Sequence, residues 1–219
     1  MRADPFAAQA RDMVEHQLRR RGIRDERVLD AMGQVPRHQF VPRESEIAAY
    51  EDRPLPIGDQ QTISQPYIVA LMTAAVEVAP GEKALEVGTG SGYQAAVLAR
   101  LGATVYTIEA NVRLAEAARA RLRSLGYGDV QVYTGDGSEG LAEHAPYDVI
   151  VVTAAAPRVP PALLGQLAEG GRLIAPVGTR FFQELVLVRK RGGQVATNIL
   201  GACQFVPLVG KGGWKGGYE

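Results

Sequence analysis

The feature that most constrains the fold is a strand-like run that passes through closely spaced glycines into a helix-like run. The segment reads Lys83-Ala-Leu-Glu-Val-Gly-Thr-Gly-Ser-Gly92, and apolar residues at helical spacing follow it in residues 93–101. Glycines let the backbone pass close to a ligand, and the free N–H groups at the start of a helix favour an anionic group there. The sequence therefore predicts a nucleotide-binding turn within an α/β fold.

Strand-like and helix-like segments alternate from this turn onward. Strands are predicted at 83–87, 104–109, 130–134, 147–153 and 171–177, and helices at 92–101, 112–125, briefly near Leu141, and at 160–167. Such alternation is typical of a doubly wound, mostly parallel sheet with helices on both faces. Two β-rich runs, 182–191 and 194–208, are joined only by Gly192-Gly193, which predicts an antiparallel C-terminal hairpin at one edge of the sheet.

The N-terminal part predicts helices followed by a long loop. One helix is expected at 6–21, where Gly22 stops it, and a second at 26–32, where Asp25 caps it. Prolines then interrupt the chain until Ser64, which is placed to cap a helix.

These patterns divide the chain into three parts. Residues 1–80 form an N-terminal helical extension with a substrate loop, packed on the core; residues 81–209 form the cofactor-binding core; and residues 210–219 form a flexible, glycine-rich tail.

Composition limits the classes of function. The 219 residues carry 24 basic and 24 acidic side chains, so no net field attracts nucleic acid or an anionic membrane. The single cysteine, Cys203, excludes an internal disulfide and predicts a cytoplasmic protein, in which it is a core thiol. No apolar run is long enough to span a membrane. We expect a monomer. We also expect no metal site, because the three histidines have no ligand spacing: His16, His38 and His144.

The spacing of the glycines selects among nucleotide ligands. Gly88-x-Gly90-x-Gly92 is followed by Tyr93, where the dinucleotide fingerprint has its third glycine. This difference favours a ligand with one adenosine and a small zwitterionic arm, S-adenosylmethionine, over NAD. A tight turn without a ligand is the alternative.

Two acids are placed to hold such a ligand. Glu109 ends the next predicted strand, about twenty residues after the turn, where a carboxylate can accept from both ribose hydroxyls; capping of the following helix is its alternative role. Asp136, in Gly135-Asp-Gly137, follows the third strand and can accept from an adenine amino group, or can simply form a turn.

The segment Gln60-Gln-Thr-Ile-Ser-Gln65 points to the acceptor of the methyl group. It contains several neutral donors and no acid, which suits an anionic acceptor. A carboxylate is already ionised at pH 7 and needs no base, whereas an amine or a hydroxyl usually does. Thr153-Ala-Ala-Ala-Pro157 ends the fourth strand, where small side chains leave room beneath the transferred group.

The chain resembles a known family, the bacterial protein-L-isoaspartate O-methyltransferases, which repair aged proteins with S-adenosylmethionine. The resemblance extends from about Met13 to Leu208. The matching stretches are Gln17-Leu-Arg-Arg-Arg-Gly-Ile-Arg-Asp-Glu-Arg-Val-Leu-Asp-Ala-Met32, Val35-Pro-Arg-His-Gln-Phe-Val-Pro42, Leu55-Pro-Ile-Gly58, Gln61-Thr-Ile-Ser-Gln-Pro66, Leu85-Glu-Val-Gly-Thr-Gly-Ser-Gly-Tyr93, Gly135-Asp-Gly137, Val151-Val-Thr-Ala-Ala155, Gly170-Gly-Arg-Leu-Ile-Ala-Pro-Val-Gly178 and Phe205-Val-Pro-Leu208.

The resemblance implies a Rossmann-like methyltransferase sheet, an isoaspartyl α-carboxylate as acceptor, and S-adenosylhomocysteine as product. It implies that Ser64 is the active-site residue, and that Gln65, Thr153 and Val206 also bind the peptide, in a groove between the N-terminal helices and residues 205–208. The implied cofactor contacts are Gln61, Thr62, Ile63, Glu86, Gly88, Thr89, Gly90, Ser91, Glu109, Asp136 and Gly137.

Other functions stay open on the sequence. The main alternative is a methyltransferase for another small carboxylate, which would share the core and differ in the N-terminal part. A NAD-dependent reductase and a non-catalytic binding module are further alternatives. Methylation of nucleic acid is disfavoured, because the residues after Val152 lack an Asn/Asp-Pro-Pro-aromatic signature.

Overall fold

One twisted β-sheet organises the molecule. The structure, a computed structural model, describes residues 5–215. Its strands are β1 (Leu55–Gly58), β2 (Gln61–Ile63), β3 (Lys83–Val87), β4 (Thr104–Glu109), β5 (Gln131–Thr134), β6 (Tyr147–Val152), β7 (Leu167–Gly178), β8 (Gln183–Arg191) and β9 (Gln194–Cys203).

Seven of these strands form the sheet, in the order β5-β4-β3-β6-β7-β8-β9. Strands β3 to β7 pair in parallel, whereas β8 pairs antiparallel with both β7 and β9. Gly192 and Gly193 have φ angles of 61° and 72°, which matches a two-residue hairpin turn between the last two strands. The predicted α/β class, parallel core and antiparallel C-terminal hairpin are confirmed.

Helices cover both faces of the sheet. They are α1 (Pro5–Asp12), α2 (Glu26–Gln34), α3 (Pro66–Ala75), α4 (Tyr93–Arg100), α5 (Val112–Ser124) and α6 (Pro161–Gln166). Side chains alternate between the faces along each strand, so the sheet has a core on either side. Ala84 and Val149 belong to one apolar cluster, and Leu85 and Ile150 to the other.

The N-terminal helices pack directly on the first of these clusters. Helical backbone runs without a break through π-helical Met13–Leu18 and 3₁₀-helical Arg19–Arg21, and it ends at Gly22 with a φ angle of 97°. Asp25 accepts a hydrogen bond from the N–H of Arg27 and caps α2, as predicted. Met13 and Leu29 share their cluster with Val97 of α4, so one continuous core extends across the predicted domain boundary at residue 80. The division of the chain at that residue stays a prediction.

The predicted loop before α3 contains more structure than its prolines indicate. Two 3₁₀ turns, Arg37–Phe40 and Arg43–Ala48, precede an antiparallel hairpin of β1 and β2. The tip of this hairpin, Asp59 and Gln60, has positive φ angles of 48° and 58°. Strand β7 also starts earlier than predicted, at Leu167, directly after α6.

The glycine-rich tail is tied to the core at its start. The N–H of Lys211 donates to Asp136 Oδ2 at 2.8 Å, and the N–H of Gly212 donates to Ser138 Oγ at 2.8 Å. Trp214 N donates to the carbonyl of Leu208 at 2.7 Å. Residues 216–219 lie outside the described part, and the flexibility of the whole tail stays a prediction. Within residues 5–215, no helix is long and apolar enough to cross a bilayer.

Candidate active site

The glycine turn lies at the carboxyl end of β3, in the middle of the sheet. Gly88, Gly90 and Gly92 have φ angles of 96°, 51° and 89°. A Cβ atom on Gly88 would lie 2.4 Å from Thr153 Oγ1, at the end of β6. The close approach of these two strand ends therefore requires glycine at residue 88.

Glu109 ends β4 beside this turn. Its Oε2 accepts a hydrogen bond from the N–H of Gly90 at 2.9 Å, and its Oε1 accepts from the N–H of Asn111 at 3.0 Å. The alternative role as a helix cap is wrong, because the Asn111 side chain accepts from the N–H groups of Arg113 and Leu114 and caps α5. Each oxygen of Glu109 keeps a further lone pair for a ligand hydroxyl.

Glu86 lies beneath the turn, fully buried in β3. Its Oε2 accepts from Thr107 Oγ1, which in turn lies 2.6 Å from Thr89 Oγ1. Its Oε1 makes no hydrogen bond of ordinary geometry among the described residues. Burial raises the pKa of Glu86 to about 8, so the carboxyl is mostly protonated at pH 7. A cationic ligand group beside Oε1 would reverse that shift, because a nearby positive charge favours the carboxylate.

Asp136 lies at the same edge of the sheet, after β5. Its Oδ1 accepts from the N–H and the hydroxyl of Ser138, at 2.9 and 2.6 Å, and its Oδ2 accepts from Lys211 N. Burial opposes the charged form, but these hydrogen bonds outweigh it and lower the pKa of Asp136. This turn packs closely against β3, because a Cβ atom on Gly137 would lie only 2.6 Å from Val87 Cγ1.

Ser64 lies between β2 and α3, but it does not cap the helix. The cap position belongs to Gln65, which makes no side-chain capping bond. Asp52, twelve positions earlier than Ser64, accepts from the N–H of Tyr67 through Oδ1 at 3.1 Å and satisfies the first turn instead. The predicted capping role of Ser64 is therefore wrong. Among residues 5–215 none forms a hydrogen bond with the Ser64 hydroxyl, so this group is available to a substrate.

Two cavities meet at Ser64. A small one, of about 40 Å³, lies beside the glycine turn. It is lined by Thr62, Ile63, Ser64, Val69, Met72, Glu86, Gly88, Thr89, Gly90, Ser91, Tyr93, Gln94 and Thr153. The other is an open cleft of about 1010 Å³, and Thr62, Ser64 and Thr153 line both spaces. Of the predicted cofactor residues, Gln61, Glu109, Asp136 and Gly137 line neither cavity, and the last three lie at the adjoining edge of the sheet.

The cleft gathers the residues predicted to bind the acceptor. Ser64, Gln65, Thr153 and Val206 all line it. Its charged lining residues are Arg21 and Arg180, and within the described chain no acid and no histidine lines it.

Arg21 is already engaged at the rim of the cleft. Its Nη1 forms an ion pair with Asp52, and its guanidinium lies 3.5 Å above the Tyr67 ring. Asp52 Oδ2 also accepts a hydrogen bond from Gln65 Nε2 at 3.3 Å. Asp52, which lies beside this wall, is therefore held by cationic and amide donors.

The end of β6 supports the opposite wall. Ala155 N donates to the carbonyl of Val206 at 2.8 Å, and Leu208 N donates to the carbonyl of Ala155 at 2.7 Å. The backbone of Ala155 thus holds the segment 205–208 in place, and the small side chains after Thr153 leave space beneath the transferred group. Cys203 lines the same wall, and burial raises its pKa to about 11, so it stays a thiol at pH 7 and is not an activated nucleophile.

A hairpin that was not predicted from the sequence, formed by β1 and β2, covers the glycine turn. Ile57 of β1 packs over Gly90, with its Cδ1 3.5 Å from the place of a Cβ there. At the hairpin tip, Asp59 Oδ1 accepts from Arg113 Nη2 at 2.7 Å and Oδ2 accepts from Asn111 Nδ2 at 2.9 Å. The adjacent Gly58-Asp59 pair is a turn signal that indicates such a hairpin, although its docking on α5 is a tertiary contact.

Comparisons with known proteins agree on one family. The family model described as protein-L-isoaspartate(D-aspartate) O-methyltransferase matches residues 8–213. The protein-L-isoaspartate O-methyltransferase of Methanoculleus marisnigri is 55% identical over 216 residues, 99% of this chain and 98% of the relative. That of Koribacter versatilis is 56% identical over 210 residues, 96% of this chain and 95% of the relative.

Solved structures give the same result. A structure named protein-L-isoaspartate O-methyltransferase superposes with a TM-score of 0.85 and 31% identity, over 93% of this chain and 67% of the other. A Plasmodium falciparum protein that carries the same name was solved in complex with S-adenosyl-L-homocysteine. It superposes with a TM-score of 0.79 and 27% identity, over 91% of this chain and 98% of the other.

Proposed function

Because this chain belongs to the protein-L-isoaspartate(D-aspartate) O-methyltransferase family, we propose that its reaction takes place at Ser64, where the small cavity opens into the cleft. The enzyme transfers a methyl group from S-adenosylmethionine to isoaspartyl residues of proteins. The methyl ester of the isoaspartyl α-carboxylate is the product, and its closure to a succinimide begins the repair.

The meeting of the two cavities is the observation that carries this proposal. Donor and acceptor must lie in line for a displacement, so their sites must share a wall. Thr62, Ser64 and Thr153 are shared by the cavity and the cleft, and each carries a hydroxyl. Such positioning is worth about 7–11 kcal/mol of the barrier when the reacting atoms are well oriented.

The residues present fit a zwitterionic adenosyl cofactor. The unbonded Oε1 of buried Glu86 suits the ammonium of the amino-acid arm, and Glu109 suits the ribose hydroxyls. Asp136 and Gly137 would hold the adenine end. The cofactor supplies a methyl group on a sulfonium, which is already an activated electrophile. The small cavity is far below the size of an adenosine, and we infer that the Ile57 hairpin, which lies over Gly90, moves outward when the cofactor enters.

The walls of the cleft suit an acceptor that arrives ionised. An isoaspartyl α-carboxylate is deprotonated at pH 7 and needs no general base. A fixed carboxylate 4 Å away would repel it by about 4 kcal/mol at an effective dielectric constant near 20. The described lining contains hydroxyls, the Gln65 amide and two arginines instead.

Paired peptides test the proposed acceptor. An isoaspartyl peptide and the matching aspartyl peptide are incubated with S-adenosylmethionine labelled in the methyl group. We expect base-labile label on the isoaspartyl peptide alone. A small carboxylic acid is assayed in parallel, and labelling of this acid equal to that of the isoaspartyl peptide would contradict the proposed acceptor and favour the alternative one. In a separate thermal-unfolding measurement, stabilisation by NADH instead of S-adenosylhomocysteine would contradict methyl transfer itself.

We propose further that the enzyme acts as a monomer in the cytoplasm. The predicted residues Ser64, Gln65, Thr153 and Val206 come together within one chain, which agrees with catalysis by a single subunit. The single cysteine agrees with a reducing compartment.

A further inference from the structure

Arg37 lies fully buried behind Ser64, in a place where a charge is costly. Its exposed fraction is 0%, and within the described chain no carboxylate lies within ion-pair distance of it, although the charge of Asp52 attracts it from farther away. Moving an unpaired charge out of water costs several kcal/mol even after relaxation. Burial accordingly lowers the pKa of Arg37, although its guanidinium stays charged at pH 7.

Its hydrogen bonds connect three segments of the chain. Nε donates to the carbonyl of Ala49 at 2.7 Å, and Nη2 donates to the carbonyl of Ser64 at 2.7 Å. Nη1 makes no hydrogen bond of ordinary geometry, and the guanidinium carbon lies 4.8 Å over the ring of Tyr93, in the first turn of α4. Arg37 therefore fixes the backbone of Ser64 against the helix that follows the glycine turn.

The bond to Ser64 falls at the junction of donor and acceptor sites. The neighbours of Ser64 are held by other contacts, Ile63 by pairing with Leu55 and Gln65 by a hydrogen bond to Asp52, whereas the Ser64 carbonyl is held by Arg37 and its hydroxyl has no partner in residues 5–215. A rotation of its peptide would therefore swing the hydroxyl away from the acceptor. A guanidinium is a rigid fork with fixed donor directions, which a lysine ammonium does not reproduce.

We propose that Arg37 is a positioning residue for methyl transfer, which holds the Ser64 backbone so that the Ser64 hydroxyl meets the acceptor carboxylate. This inference rests on the proposed role of Ser64. Arg37 touches neither substrate nor cofactor and acts through Ser64. Its buried positive charge also favours an anionic acceptor at the same place.

A double-mutant cycle separates positioning from plain stabilisation. The variants are Arg37→Lys, Ser64→Ala and their combination, assayed with an isoaspartyl peptide. We expect R37K to lower kcat about 10- to 100-fold, since a misplacement near 1 Å costs about that much, with the KM for S-adenosylmethionine changed less than twofold. In the S64A background, the same substitution should lower kcat by less than about threefold, because coupled residues are non-additive.

Arg172 provides the matched control. It is also a mostly buried arginine that donates to backbone carbonyls, of Val76 and Glu77, and it pairs with Glu82 away from the site. R172K should lower the melting temperature and leave kcat within twofold. A kcat for R37K that falls no more than that of R172K would overturn the proposal, as would equal losses in the S64A and wild-type backgrounds.

Two further outcomes are informative. An S64A variant with unchanged kcat would refute the role of Ser64 itself, which distinguishes failure of the proposed site from failure of this inference. If R37K does not fold, the cycle is run with Arg37→Gln, which keeps a donor for the Ser64 carbonyl without the charge. If neither variant folds, Arg37 is required for folding as such, and the positioning role is wrong.

Discussion

At the scale of single residues, neutral donors and not acids surround the place where the two cavities meet. Ser64 has an unbonded hydroxyl there, and Thr153 Oγ1 lies within 2.6 Å of the Gly88 carbonyl. Glu109 and Glu86 are bonded to the glycine turn or buried beneath it. Alignment of the acceptor and retention of the cofactor are thus assigned to different side chains, which can be removed separately.

Substituting Ser64 and Glu109 tests this division. Ser64→Ala should lower kcat about 10- to 100-fold and leave the affinity for S-adenosylhomocysteine within twofold. Glu109→Ala should weaken that affinity about 10-fold or more, because hydrogen bonds to a charged group contribute about 1.5–3 kcal/mol each. Ser124→Ala, at the end of α5, is the control and should change neither. Equal losses of cofactor affinity in the first two variants would show that the roles are misassigned.

The buried carboxyl of Glu86 predicts a pH dependence of stability. Its pKa is about 8 in the folded protein against 4.5 for the free group, so the folded state holds a proton that the unfolded state loses between these values. Stability therefore falls as pH rises through this window, by up to about 1.4 kcal/mol per pH unit. Glutamine cannot ionise, so Glu86→Gln should gain in melting temperature relative to wild type from pH 5 to pH 8.

Thermal unfolding of the protein without cofactor measures this difference. A gain of at least about 5 °C is expected, since about 1 kcal/mol corresponds to 2–4 °C for a protein of this size. Glu116→Gln, on the exposed face of α5, should show no such trend. A difference between E86Q and wild type that stays constant with pH would contradict the buried, protonated state of Glu86.

At the scale of elements, the hairpin of β1 and β2 covers the glycine turn and is fastened at its tip. Ile57 lies over Gly90, and Asp59 bonds Asn111 and Arg113 at the start of α5. An exposed ion pair contributes only about 0.2–1 kcal/mol, so this fastening is weak enough to open for the cofactor. The hairpin is thus expected to control the rates of cofactor exchange more than the affinity.

Glycine substitutions at the hairpin tip test this expectation. Asp59 and Gln60 both have positive φ angles, so glycine keeps the turn at either residue. Asp59→Gly removes the bonds to α5 and should raise both the association and the dissociation rate of S-adenosylhomocysteine at least about threefold. Gln60→Gly, the matched control, should change both rates less than twofold. Equal effects of the two variants in stopped-flow measurements would mean that backbone flexibility alone is responsible.

Sequence patterns predicted most elements because each depends on local signals. The alternation of strands and helices gave the parallel core, and Gly192-Gly193 gave the hairpin of β8 and β9. The cap of α3 was missed because Asp52, which supplies it, is distant in sequence and is brought there by tertiary folding. The docking of Asp59 on α5 and of Arg37 behind Ser64 was missed for the same reason: both contacts join residues more than 25 positions apart.

At the scale of the whole molecule, the start of the C-terminal tail joins the cofactor edge of the sheet to the wall of the cleft. Lys211 N donates to Asp136, and the Arg180 guanidinium lies 5.3 Å over the Trp214 ring. The glycine-rich composition alone predicts a flexible segment. The hydrogen bond from Lys211 N to Asp136, however, requires the backbone at Gly210 to approach Asp136 closely, and a larger residue would prevent that approach. A Cβ on Gly210, where φ is 156°, would lie 2.0 Å from Asp136 Oδ1.

Two alanine substitutions test whether the tail supports the site. Gly210→Ala should lower the melting temperature by several degrees and weaken S-adenosylhomocysteine binding, because the added methyl displaces Asp136. Gly165→Ala, in α6 with open space around it, should stabilise the protein by about 0.4–1 kcal/mol. Unchanged cofactor affinity in G210A would show that the tail and Asp136 do not contribute to the cofactor site.

A crystal structure of the enzyme with S-adenosylhomocysteine and an isoaspartyl peptide would test the central claim most directly. We predict the peptide α-carboxylate beside the Ser64 hydroxyl, with one oxygen in line with the sulfur and about 3–3.5 Å from the position of the lost methyl group. The surrounding groups should be hydroxyls and amides. An Asp, Glu or His side chain hydrogen-bonded to that carboxylate would contradict an acceptor that needs only to be aligned.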